Sequence, residues 1–165
     1  MPSKRKAVNP PGAFLLNQAP YPYTMNSMKG FSVLSCLTPK SETQFILDAA
    51  TIRQALEKFD AHKFSVVPVL DKDGNYINTV SEGDLLRFIK NEANFDIRVA
   101  ESKTLKEVAR YRPYQCLDAN CSSEEVLALS LRQNFVPIVD DRKKYIGIVK
   151  RSDIITLLSA PGDGE

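Results

Sequence analysis

The sequence predicts an α/β (α+β) fold made of two tandem copies of one unit, each running strand, helix, strand, strand, helix, paired about a pseudo-twofold axis. Three observations carry this. "VPVLDKDGNYINTVSEGDLLRFI" (67–89) aligns without a gap on "VPIVDDRKKYIGIVKRSDIITLL" (136–158), with Val-Pro, Asp, Tyr-Ile, Val and Asp in register. Upstream, "LDA" at 47–49 returns at 117–119. Each copy then opens a helix with a capping pattern, Thr51 with Gln54 and Ser122 with Glu125. Two copies are too few to stack as a solenoid and suit a symmetric pair instead.

The elements follow in order. "TQFIL" (43–47) is expected to be a short strand. A helix starts after Thr51, with Ile52, Ala55, Leu56 and Phe59 at i, i+3, i+4 and i+7 on one apolar stripe. "SVVPVL" (65–70) reads as a buried strand in which Pro68 implies an edge position or a strand end. "DKDG" is a tight turn, because Gly74 reaches positive φ at little cost. "NYINTV" returns as a strand and 82–90 form the second helix. The second copy repeats this as strand 114–117, helix 122–133, strand 135–139, strand 144–149 and helix 151–159. Its "DDRKK" turn lacks glycine and is expected to be looser.

By this reading 1–30 form a Pro-rich arm, 31–90 the first repeat, 91–113 a linker, 114–159 the second repeat and 160–165 a tail. The arm holds five of the ten prolines and the basic cluster Lys4-Arg5-Lys6, which suits a poorly ordered or loosely docked segment. A translation start at Met25 or Met28 would leave the arm outside the native protein. In the linker, "TLKEVARY" (104–111) suggests a short helix, and Pro113 marks the entry to the second copy.

Bulk properties exclude several functions. A net charge of +2 gives no concentrated basic face for nucleic acid. No apolar run approaches the roughly 20 residues that span a bilayer. Cys36, Cys116 and Cys121 match no zinc spacing, and His62 is the single histidine, so buried thiols in a reducing, cytoplasmic compartment are expected and a metal site is not. The chain carries no G-x-x-x-x-G-K-[ST], G-x-G-x-x-G or C-x-x-C motif, so no enzyme is expected.

"FSVVPVLDKDGNYINTVSEGDLL" and "NFVPIVDDRKKYIGIVKRSDII" resemble the CBS domain, and two in tandem resemble a CBS pair, or Bateman module. The resemblance covers about residues 34–159 and points to a stand-alone bacterial CBS-pair protein. It implies two repeats packed sheet against sheet, two symmetry-related clefts, and assembly into a homodimeric disk. It implies a regulatory role, in which the clefts take an adenosine compound (AMP, ADP, ATP, S-adenosylmethionine or cyclic di-AMP) and the ligand state passes to a downstream partner protein. No cofactor is implied beyond that regulatory ligand. The alternative is a dimerisation module with filled clefts and no ligand.

The family pattern Gly-h-h-Thr/Ser-x-x-Asp, with h apolar, falls on Asn78 to Asp84 and on Gly147 to Asp153. By resemblance Ser81 and Asp84 face the ribose or phosphate in the first copy, with Ser65, Val66 and Val67 and the opening residues Thr43, Phe45 and Ile46 at the adenine. In the second copy the matching residues are Lys150 and Asp153, with Asn134, Phe135 and Val136 and the opening pair Gln115 and Cys116. Asn78 replaces the family glycine and Lys150 replaces the hydroxyl. Lys150 can block the cleft or carry phosphate charge as a point cation. Lys40, Arg112 and Arg151 are further candidates for phosphate, with Arg112 the best of them because "YRPY" enters the opening strand of the second copy.

The physical case stands beside the resemblance. A carboxylate can accept from both ribose hydroxyls, and a helix N-terminus suits phosphate. Ser81-x-x-Asp84 is equally a capping box, so the pattern alone leaves cap and ligand roles open. Lys150 cannot cap, yet Asp153 remains, so the two corners are expected to be unequal, with the Asp84 corner the surer ribose site.

Overall fold

The computed structural model describes residues 31–94, 96–109 and 113–159; the arm, the tail and Arg112 lie outside the described residues. It confirms the mixed α and β architecture with two related halves. In chain order these hold β1 (Leu37–Pro39), β2 (Ile46–Leu47), α1 (Ile52–His62), β3 (Val66–Leu70), β4 (Tyr76–Ser81), α2 (Glu82–Asn91) and α3 (Ile97–Ser102). The second half continues with β5 (Leu117–Asp118), α4 (Ser123–Ser130), β6 (Phe135–Val139), β7 (Tyr145–Lys150) and α5 (Arg151–Ser159). One sheet has the order β2-β3-β4 and the other β1-β7-β6-β5.

Local chemistry sets most boundaries. Thr51 Oγ1 accepts from Gln54 N at 3.2 Å while Gln54 Oε1 accepts from Thr51 N at 2.9 Å, closing the first capping box. Ser122 and Glu125 close the second in the same way. The opening strands are shorter than expected. Before β2, Lys40–Glu42 wind into a 3-10 turn whose Lys40 carbonyl accepts from both the amide and hydroxyl of Thr43. In the second copy the strand begins only at Leu117.

Pro68 stands in the middle strand of its sheet, not at an edge. The parallel partner β2 meets only Val69 and Leu70, so the missing N–H of Pro68 precedes that ladder. Pro137 stands in the same relation to β5. α4 stops at Ser130, three residues before the expected end, and beyond it Gln133 turns its side chain inward to the backbone of Gln115. In the linker the expected helix is only a 3-10 turn, Leu105–Glu107, while an unexpected α3 is capped by Asp96, whose carboxylate accepts from Arg98 N at 2.9 Å.

The glycine-free turn is as closed as its counterpart. Gly74 N donates to Asp71 O at 3.1 Å and Lys143 N to Asp140 O at 3.0 Å; Lys143 takes the left-handed conformation (φ 65°) at a cost of about 1 kcal/mol. The aspartate accounts for this. Asp140 Oδ1 accepts from Arg142 N and Lys144 N as Asp71 Oδ1 accepts from Asp73 N and Asn75 N.

Each half has its own apolar core, and flanking segments complete them crosswise. Ile52, Phe59, Val67, Val80 and Leu85 form the first, closed by Ala100, Leu105 and Val108 of the linker. Val126, Val136, Ile138, Val149 and Ile154 form the second, closed by Val33, with Phe31 and Leu37 packed against it. The N-terminal segment thus crosses to the second repeat, where β1 pairs with β7. The hairpin tips join the halves: Asn75 bridges Lys144, and the Tyr76 and Tyr145 rings stack with centroids 6.4 Å apart.

Burial raises the pKa of both tyrosines, that of Tyr145 to about 12, even though Tyr145 donates to Thr43 Oγ1 at 3.0 Å. A group with a raised folded pKa contributes fully below its unfolded value near 10, and loses that contribution as the pH climbs towards 12. Stability is therefore expected to fall between those limits, and less steeply in Tyr145→Phe. Urea unfolding from pH 9 to 12 checks this; parallel curves for both proteins would refute it.

Candidate functional site

A cavity of about 320 Å³ opens between the two repeats. From the first repeat come Glu42, Thr43, Gln44, Phe64, Val66, Val67 and Pro68. From the second come Asn134, Phe135, Ile148, Lys150 and Ser152. The strand alternation of β7 explains its wall. Gly147 and Val149 face the second core, while Ile148 and Lys150 take the other face; the register shift between Ile138 and Val139 turns Ile146 back against that core. Ile148 and Lys150 therefore reach the cavity together, one apolar and one cationic. Phe64, Val66, Pro68, Phe135 and Ile148 make a slot suited to a flat apolar face, with Glu42, Thr43, Gln44, Asn134, Lys150 and Ser152 as its polar groups, while the Val67 side chain points into the first core. Next to it, Arg151 is held by Asn134, its Nη2 donating to Asn134 Oδ1 at 2.7 Å.

Six of the expected residues therefore meet here: Thr43, Val66, Val67, Asn134, Phe135 and Lys150. They come from both copies, whereas the expectation grouped the opening and Val-Pro-Val strands with the corner of one copy. Ile46 and Val136 point into the two cores. Phe45 lies half-buried beneath the ammonium groups of Lys40 and Lys58, 5.2 and 5.6 Å from its ring centre. Ser65 is exposed and its carbonyl accepts from Glu82 N.

Gln115 and Cys116 line a second, broader hollow of about 590 Å³ with Tyr76, Ile77, Tyr114, Leu117 and Glu125. Burial raises the pKa of the Cys116 thiol. The ladders show why this hollow exists. Ile46 faces Val69 as Leu117 faces Ile138, so Cys116 stands where the first repeat has the larger Phe45. This register also shows that the "LDA" echo is out by one residue.

The two corners differ as their sequences do. Ser81 Oγ accepts from Asp84 N at 3.1 Å, and Asp84 Oδ2 accepts from Ser81 N at 2.9 Å and Ser81 Oγ at 2.8 Å. Asp84 is only 5% exposed, and its other oxygen faces Arg87 at 3.8 Å. Ser81 and Asp84 line neither cavity described above. At the second corner Lys150 is exposed, and Asp153 is half-buried, accepting from Ser152 Oγ at 3.1 Å. A capping role makes a clear prediction: Ser81→Ala should cost about 1 kcal/mol of stability without changing the affinity of any ligand of the open cleft. An equal loss of affinity, measured by calorimetry, would refute it.

Asn78 and Gly147 occupy matching positions in unlike sheets. β7 is flanked by β1, with Gly147 opposite Pro39, so a Cβ would strike the Thr38 carbonyl oxygen. β4 carries no such partner among the described residues, and a side chain is tolerated there.

Sequence reasoning missed Glu42, Gln44, Phe64, Pro68, Ile148 and Ser152 of the open cleft, and Tyr114 and Gln133 beside the other hollow. The period-2 pattern of β7 was the available signal for Ile148. Among the described residues no helix is long and apolar enough to cross a membrane, and no group of His, Cys, Asp and Glu could hold a metal ion.

Comparison with known proteins matches this architecture. The CBS domain model matches residues 40–91 and 105–160. Among solved structures, a CBS domain protein from Streptococcus pneumoniae TIGR4 aligns with TM-score 0.71 at 18% identity, over 77% of this chain and 86% of that one. The CbpB protein of Listeria monocytogenes in complex with c-di-AMP gives 0.69 at 19%, over 78% and 95%. CBSX2 in complex with AMP gives 0.62 at 24%, over 78% and 96%. No match was found among curated proteins. Two matched domains covering most of the described residues, on a shared fold, establish that the chain belongs to the CBS domain family.

Proposed function

We propose that this protein is a regulatory module that binds an adenosine nucleotide in the cleft between its repeats and passes the ligand state to a partner without turning the nucleotide over. The observation that carries this reading is the 320 Å³ cavity, whose apolar slot fits a base and whose Lys150 and Ser152 suit ribose and phosphate. The c-di-AMP and AMP complexes of its structural neighbours support the ligand class. We also propose a homodimer, which the exposed apolar residues Leu86, Ile155 and Leu158 on α2 and α5 support.

A micromolar ligand corresponds to about −8 kcal/mol, within reach of one stacked base and a few charge-assisted bonds. At 100 times its dissociation constant it would stabilise the fold by about 2.7 kcal/mol. Thermal unfolding against AMP, ADP, ATP, S-adenosylmethionine and cyclic di-AMP tests the reading. A rise in midpoint with at least one is expected; none at millimolar concentration would overturn it.

A further inference from the structure

We infer that the two clefts are unequal, that Tyr114 closes the one on the Ser81–Asp84 side, and that each chain therefore takes one nucleotide. This rests on the nucleotide reading above and adds the stoichiometry and the residue that sets it.

The argument starts from register. Because Ile46 and Leu117 hold equivalent ladder positions, three residues back Tyr114 stands where the first repeat has Thr43. Val66 faces Ser81 as Phe135 faces Lys150, so Phe135 stands where the first repeat has Val66. In the open cleft Thr43 and Val66 line free volume. In the related place stand two aromatic rings, with centroids 5.1 Å apart and tilted by 44°. The Tyr114 hydroxyl reaches within 3.5 Å of Asn134 N, so the ring lies along the Asn134–Phe135 backbone. That backbone matches Ser65–Val66 and stands between the two clefts, since Val66, Asn134 and Phe135 all line the open one as well.

The backbone that carries the blocking ring is held on both sides. Gln133, 5% exposed, accepts from Gln115 N at 2.8 Å through Oε1. Its Nε2 donates to the carbonyls of Gln115 at 3.0 Å and Phe135 at 3.2 Å. The Tyr76 hydroxyl lies 3.4 Å from the Tyr114 carbonyl. These bonds, each of which stabilises by about 1 kcal/mol, fix the backbone from which the ring projects, and the ring itself rests on Phe135 and Asn134. In the first repeat Phe64 stands at the position of Gln133 and lines the cavity instead. At the facing corner Asp84 accepts through Oδ2 from both donors of Ser81.

The test is the binding stoichiometry of AMP and ATP to the full chain by calorimetry. Wild type is expected to take one nucleotide per chain. Tyr114→Thr, which restores the residue of the open cleft, should gain one site, and the added Asp84→Ala should remove it. Tyr114→Phe keeps the ring and should gain none. Two sites in wild type would overturn the inference whatever the variants do, as would a folded Tyr114→Thr with no site gained. Should wild type bind neither nucleotide, the proposed function fails, and the role of Tyr114 is still read from whether Tyr114→Thr rises from no site to one.

Discussion

Gly147→Ala is expected to cost about 3 kcal/mol and to detach the N-terminal segment from the second repeat. The added Cβ would overlap the Thr38 carbonyl oxygen and press on the Leu37 side chain at 3.0 Å and the Pro39 Cα at 3.1 Å. Two of these three are backbone atoms in a paired strand, so the clash cannot be relieved by a rotamer change. It can be relieved by moving β1 away, which breaks the β1–β7 ladder and uncovers Val149 and Val33. Gly83→Ala is the matched control. There the nearest atom to the new methyl is the far end of the long Arg87 side chain at 3.2 Å, and alanine is the better helix former by about 1 kcal/mol. Chemical denaturation should therefore separate the two glycines by several kcal/mol, and hydrogen exchange at Leu37 and Thr38 should rise in Gly147→Ala alone. Equal stabilities would mean that β1 does not hold against β7 in solution.

The same position shows what the sequence could and could not disclose. The repeat, the capping boxes and the central strands were legible because each rests on neighbours a few residues apart: Thr51 with Gln54, Ser122 with Glu125, Val66–Leu70 with its hairpin partner. The need for glycine at 147 was not, since it comes from Thr38, more than a hundred residues away, crossing from the other end of the chain. The linker was misread for a similar reason: α3 is too short to display a helical period, and Ala100 is fixed by packing into the first core. The candidate site was half legible. Its strand residues follow from the repeat, but which of them share a cleft depends on how two halves face each other, which no local pattern encodes. Tyr114 lay one residue beyond the expected pair Gln115 and Cys116, and the slipped "LDA" alignment hid that it stands in the place of Thr43.

Charge at Lys150 is expected to decide which adenosine compounds the open cleft accepts. Lys150 is the cation among its lining residues, and Glu42 is the anion. If a phosphate sits against Lys150, neutralising the ammonium removes one charge-assisted bond, which contributes about 1.5–3 kcal/mol when desolvated. Lys150 is exposed, so solvent screening places the effect at the lower end. Lys150→Gln should therefore weaken AMP about tenfold, and Lys150→Glu should weaken it further by adding repulsion. Uncharged adenosine should bind wild type and Lys150→Gln alike, because the base and ribose contacts are untouched. The loss for AMP should shrink with added salt, as the Debye length falls from about 10 Å at 0.1 M to about 3 Å at 1 M. Calorimetry with AMP and adenosine at two ionic strengths measures all of this on one protein and two variants. If AMP and adenosine lose affinity equally in Lys150→Gln, the lysine supports the cleft wall and does not read the phosphate. If AMP binds more tightly to Lys150→Gln, the side chain obstructs the cleft, and the charge argument for this corner falls.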